Sequence, residues 1–295
     1  MVAYYIGIVL LMRVVQSFCS KKNAKLLPAD PAGYLQYTTY YFAIAAALAG
    51  TGLALSAPVR PLYLAETLCY ALPGGIAMSV ACLCTIYNLR NGTMALNALF
   101  STAGLLIPTT VSAVLYGESV PPLKLLAILI FFAGAYLLVG GAEKLYGRYT
   151  FKNFLMLVLL LLGEGTTMTS QKLFGMNVPD GSVFLFTALS FGSGTVMVLL
   201  ARTVIKLASG TKKKVGLQKR SYLYGIALAV AVFLISQLAT LCAPHLPAVV
   251  LFTLINGGAA LISATVGAIF FRERITLPVL IGLALGIGAL ILIAM

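Results

Sequence analysis

Ten apolar runs fill this chain almost end to end, and they constrain its fold more than anything else in it. They cover residues 3–20, 34–56, 63–87, 93–116, 122–142, 151–173, 182–205, 221–241, 246–270 and 277–294. A helix crosses the hydrocarbon core with roughly 17–25 apolar residues. Lipid offers no hydrogen-bonding partner, so each run must satisfy its own backbone and is read as a helix. Membrane β-strands would be shorter and would alternate apolar with polar residues. The fold class expected is all-α, a membrane protein of ten transmembrane helices. Charged residues are only 9% of the 295, against about 25% in a soluble domain, and the connections are too short for an extramembrane domain. Val2 to Cys19 lacks a basic leader and a small-residue cleavage site, so it is read as a retained helix.

The charges orient the spans. Odd-numbered connections carry 16 of the 20 basic residues, including Lys21, Lys22 and Lys25, Arg90, and the cluster from Arg202 to Arg220. Even connections carry Arg60, Lys124 and Lys172, and Arg13 lies inside the first span. Short cytoplasmic loops are the ones enriched in Lys and Arg. The odd connections are therefore expected to be cytoplasmic, with both termini outside, in an inner or plasma membrane. The net charge of +13 is a membrane-orientation signal that favours anionic headgroups, and no nucleic acid is expected as a partner. The five cysteines (Cys19, Cys69, Cys82, Cys84, Cys242) read as small buried apolar residues. His245 has no companions for a metal site, and no cofactor is expected.

The two halves end alike. Leu96 to Val139 aligns with Leu251 to Met295 at a spacing of 155, with Glu118 on Glu273, Leu106 on Leu261 and Ser101 on Asn256. A weaker match puts Ser20-Lys21-Lys22 on Ser170-Gln171-Lys172. Residues 1–145 and 146–295 then form two repeats of five helices. Five is odd, so the second repeat enters the membrane in the opposite sense, an inverted arrangement typical of secondary transporters.

On these residues, Pro108 through Glu118 into Gly134 and Ala264 through Phe271-Arg272-Glu273-Arg274-Ile275-Thr276 into Gly282 to Gly288, the chain resembles the drug/metabolite transporter superfamily in its ten-helix EamA-type branch. The resemblance covers essentially the whole chain. It implies a membrane transporter of small metabolites or drugs, monomeric, with a central cavity lined mainly by spans one, three, four, six, eight and nine. Gly117-Glu118-Ser119 departs from the frequent Glu-Arg pair after the fourth span, and termini outside departs from many relatives. Small multidrug transporters of the superfamily carry a working glutamate in their first helix, which implies a role for Glu164, on the first helix of the second repeat.

Glu164 lies deep in the sixth span, in a chain with seven acidic residues. An acid at a membrane helix centre costs roughly 2.5–3.5 kcal/mol on insertion scales, so it needs a cavity, a cation or a proton. Arg13 falls on Gly163 at a spacing of 150 and so shares nearly the same depth. Two readings stay open: Glu164 exchanges protons and couples transport, or Arg13 and Glu164 form a structural lock. Gly163 and Gly165 leave space beside the acid. Gln16 in the first span and Thr167 and Gln171 in the sixth extend a polar lining, and Ser101 and Asn256 add repeat-related candidates. Tyr37, Tyr40 and Tyr41, with Tyr63, Glu66 and Tyr70, read first as an interfacial belt. Their functional alternative is a vestibule for a cation, in which Glu66 and Tyr70 share a helix face. Pro73-Gly74-Gly75 and Pro108 should interrupt their helices. Gly282 and Gly286 suit close packing, within the chain or in a dimer.

The function expected is secondary transport of a small polar or cationic metabolite (an amine, an amino acid or a drug-like cation) by alternating access, with protons as a coupling partner in the first reading. A small-solute channel and a structural or lipid-scrambling protein are the alternatives. With no nucleophile, base and metal set, the chain is not read as an enzyme.

Overall fold

Self-sufficient helices joined by short connections account for every described element. A computed structural model describes residues 2–28, 31–56, 61–91, 94–117, 150–209, 216–272 and 277–294, with separate residues between 122 and 137. The helices are α1 (Val2–Leu26), α2 (Pro31–Leu55), α3 (Pro61–Asn91), α4 (Met94–Ala103), α5 (Leu106–Tyr116), α6 (Phe151–Asn177), α7 (Val183–Ser209), α8 (Lys219–Cys242), α9 (Ala248–Phe252), α10 (Gly258–Phe271) and α11 (Leu277–Ala294). A π-helical turn, Thr253–Gly257, joins α9 to α10. Among the described residues eight spans are long and apolar enough to cross a membrane, and α11 contributes a shorter apolar stretch. The chain is a multi-pass, all-α membrane bundle. Most of the expected fifth span, 122–142, lies outside the described residues. So do Glu118, Glu273, Arg60, Lys124, Lys144, Arg148, Lys212, Lys213, Lys214 and Arg274.

Local chemistry sets where the helices start, break and stop. The Thr150 side chain accepts the Asn153 N–H at 3.4 Å and opens α6, as an N-cap residue does. The fourth span breaks at Gly104 and Leu105. Pro108, four residues on, has no N–H for the Gly104 carbonyl and its ring crowds that oxygen. By contrast α3 runs unbroken through Pro73, against the expected interruption. The fourth and ninth spans both stop on a left-handed residue, Gly117 at φ 66° and Arg272 at φ 51°. These two positions are 155 residues apart.

The helices pack in matched pairs. The most extensive contacts are α3 with α6, α2 with α7, and α1 with α8. Without a hydrophobic drive between helices in lipid, close approach depends on small residues. A methyl built on Gly75 of α3 would collide with the Ser190 carbonyl and Ser193 hydroxyl of α7, and one on Gly194 would meet Gly75 O at 2.9 Å. Gly134 would meet Gly282 O at 2.7 Å and Gly286 N at 3.1 Å, so the Gly282–Gly286 face packs within the chain. Two expectations change here. Tyr37 and Tyr41 are buried, their rings 5.2 Å apart, and Tyr41 is edge-on to Phe42 at 4.9 Å, so they face the interior and not an interfacial belt. Lys21 and Lys172, counted above with the connections, lie inside helices and are buried.

The two lysines do the same task at opposite ends of the bundle. Lys21 Nζ of α1 donates to Leu89 O in the last turn of α3 at 2.9 Å. Lys172 Nζ of α6 donates to Ala243 O at 3.2 Å and Leu246 O at 2.9 Å, beyond the end of α8. Each supplies a cation to carbonyls at a helix C-terminus, where the macrodipole favours it.

Candidate functional site

Glu164 is the fourteenth residue of the 27 in α6, near the middle of a helix about 40 Å long at 1.5 Å per residue. The glycines on either side hold its backbone between neighbours. A methyl on Gly163 would meet Ala77 O of α3 at 2.7 Å, and one on Gly165 would meet Gly104 O at 2.6 Å. The expectation that these glycines leave space beside the acid is therefore corrected: the space is taken by two neighbouring backbones. They bring α3 and the break between α4 and α5 close to Glu164. The Ser101 hydroxyl of α4 faces its carboxylate.

Arg13 lies at a similar depth on α1. Its Nη1 donates to Gln16 Oε1 at 2.9 Å and its Nη2 to Asn256 Oδ1 at 2.8 Å, while its buried Nε has no partner. Arg13 and Glu164 are within electrostatic reach, but the guanidinium spends its two described hydrogen bonds on amides and not on the carboxylate. Asn256 also gives Nδ2 to Met168 Sδ at 3.3 Å, and its carbonyl accepts from Thr102 at 3.0 Å. It therefore ties α1, α4 and α6 to the ninth span. It sits in the π-helical turn, a geometry frequent at functional sites.

Two cavities meet at this charged centre. The first is walled by Phe42, Met78, Phe191 and Phe252, with Thr167, Gln171 and Ser236 among its polar groups. It extends toward the ends of α6 and α8. The second is lined by Ser17, Ser20, Thr85, Asn97, Ser101 and Ser263 among others. It lies toward the α1–α2 and α3–α4 connections. Arg13, Gln16 and Glu164 line both, where the two meet.

Seven of the nine candidate residues come together in this way: Glu164, Arg13, Gln16, Thr167, Gln171, Ser101 and Asn256. The other two do not. Glu66 is exposed near the start of α3, and Tyr70 Oη accepts from Asn177 Nδ2 at 3.1 Å; neither lines either cavity. Sequence reasoning missed the three phenylalanines, Met78, Met168, Cys82 and Ser236. A phenylalanine in an apolar helix has the same sequence signature facing lipid or a cavity, so periodicity offered no signal for them.

No protein-family model and no curated protein matches the sequence. The fold does match solved structures, 27 chains among them. One, described as "Crystal structure of protein", superposes with a TM-score of 0.69 over 99% of this chain and 95% of that one, at 13% identity. At that identity the likeness shows the fold alone.

Proposed function

We propose that this protein is a secondary transporter of the drug/metabolite type, ten helices in two inverted five-helix repeats, which moves a small polar or cationic metabolite by alternating access. The observation that carries this reading is the pair of cavities divided by Arg13, Gln16 and Glu164. A solute held at that wall reaches one side of the membrane or the other as the wall opens. A channel would instead keep a continuous polar path open past these three residues.

Several features support two related halves of opposite sense. Exchanging each span for its partner five places on turns the α3–α6 contact into the α8–α1 contact and returns α2–α7 to itself. Gly117 and Arg272 end the matched fourth and ninth spans in the same left-handed conformation. Lys21 and Lys172 cap matched helices at opposite ends. Inverted repeats place the substrate site near the midplane between them, where Arg13 and Glu164 lie.

The chemistry of the first cavity suits a solute with an apolar body and a polar or cationic end. Aromatic faces and thioethers contact the body, and Glu164 faces the cation. The test is a thermal-shift screen of organic cations, amino acids and nucleosides on the purified chain at two pH values, followed by uptake of each hit into proteoliposomes. Saturable uptake or exchange, lost in Glu164→Gln, is expected. Non-saturating flux would instead indicate a channel, and no uptake of any hit would remove the transporter reading.

A further inference from the structure

The two cavities have different walls, and the difference suggests a division of labour. Three phenylalanine rings and two methionines line the first. Among the described residues no aromatic ring lines the second, whose walls are largely hydroxyls and amides. A buried water needs about 2–4 polar partners; hydroxyls and amides make up most of the second cavity's walls, whereas in the first they are interleaved with phenylalanine rings and thioethers. Asn97 lines the second cavity and is 8% exposed, and its Oδ1 is buried without a partner. An orphaned acceptor of this kind needs a donor from whatever fills the space. Ser17 Oγ and Ser263 Oγ are 2.8 Å apart and either can donate, so this pair can reverse its polarity. Hydroxyls both donate and accept, as a proton-conducting file of waters requires of its walls.

Building on the transporter reading, we propose that the second cavity is a hydrated proton route. It connects Glu164 to the side of the α1–α2 and α3–α4 connections, apart from the apolar-walled cavity that takes the solute. A hydronium in the file gives its proton to a Glu164 carboxylate oxygen and is left as water; release runs the same step backward. The route ends beside Ser101, which faces the carboxylate. The charged or titratable groups facing Glu164 among the described residues are Arg13 from α1 and Cys82 from α3. Arg13 is held by Gln16 and Asn256, which leaves the carboxylate open to the file.

The experiment follows the carboxyl C=O infrared band that disappears in Glu164→Gln, in sealed vesicles of known orientation, after a pH step on one side. The band is expected to respond to the step applied from the side of the α1–α2 connection. Asn97→Leu should slow that response by an order of magnitude, whereas Ser236→Leu, in the first cavity, should leave it unchanged. A second variant removes any doubt from misfolding. Ser20→Cys, in a chain whose own cysteines are replaced, is plugged after folding with benzyl methanethiosulfonate and reopened with dithiothreitol. Slowing that reverses on reopening supports the route. A response from the opposite side, or one indifferent to both plugs, overturns it. Solute uptake by the same vesicles separates the two readings: uptake with the wrong proton side defeats the route alone, and a working route without uptake of any solute defeats the transporter reading and leaves the route.

Discussion

Asn256 holds Arg13 away from Glu164. Its Oδ1 accepts Arg13 Nη2 at 2.8 Å across 243 residues of sequence, and Gln16 takes the other terminal nitrogen at 2.9 Å. A buried guanidinium beside a carboxylate would ordinarily form a bidentate pair. Here amide acceptors occupy the fork, so the acid and the base share a wall without neutralising each other through direct hydrogen bonds.

The expected result of Asn256→Ala follows from that geometry. It removes one acceptor from a buried cation and one donor to Met168 Sδ, and should destabilise the protein by about 1–2 kcal/mol. Freed on one side, Arg13 is expected to turn to Glu164. The variant should therefore lose solute uptake more than it loses thermal stability in detergent. Asn256→Asp keeps the acceptor, and its unfolding temperature should stay close to that of the parent.

The crossing of α3 and α7 depends on Gly75. Any side chain there meets the Ser190 backbone carbonyl, which cannot rotate away. Gly75→Ala should cost about 1–3 kcal/mol through overpacking, read as a lower unfolding temperature. Gly7→Ala is the control, since nothing lies within 4 Å of a methyl at that position.

How much of this was legible beforehand differs from residue to residue. The spans were legible because hydrocarbon thickness sets helix length whatever the neighbours are. Arg13 and Glu164 were legible because a charge in an apolar run is rare and expensive. The glycines were seen but misread: a missing side chain near Glu164 is filled by a neighbour's backbone, which no local pattern reveals. Tyr37 and Tyr41 were read as a belt because they lie near a helix start, whereas helix packing turns them inward. Pro108 announced a break, which falls at Gly104 because the proline acts on the carbonyl four residues earlier. The π-helical turn at Asn256 had no signal in composition, and Phe42, Phe191 and Phe252 had none either.

Lys21 and Lys172 provide a test that treats the halves alike. Replacing either by Met keeps the apolar stem and removes the ammonium from a helix C-terminus. Lys172 Nζ serves the Ala243 and Leu246 carbonyls at 3.2 and 2.9 Å and Lys21 Nζ the Leu89 carbonyl at 2.9 Å, so both variants should destabilise the protein. Each loss is expected at about 1–2 kcal/mol. Hydrogen exchange should localise it, with faster exchange at the end of α3 for Lys21→Met and at the end of α8 for Lys172→Met.

Cys82 reports on the first cavity from within. It lines that cavity beside Glu164 and is half-buried, while Cys19, Cys84 and Cys242 are buried and Cys69 is exposed. With the other four cysteines replaced, Cys82 is expected to react with a small cationic methanethiosulfonate supplied from the side on which α6 and α8 end. Supplied from the opposite side, the reagent should find the wall of Arg13, Gln16 and Glu164 in its path and react far more slowly. A chain keeping only Cys84, 4% exposed, should resist modification from either side. Modification of Cys82 adds a fixed cation next to Glu164 and fills part of the first cavity, so solute uptake should stop and return on reduction. Mass spectrometry of the intact chain gives the extent of labelling, and equal rates from both sides would show that the wall does not divide the cavities.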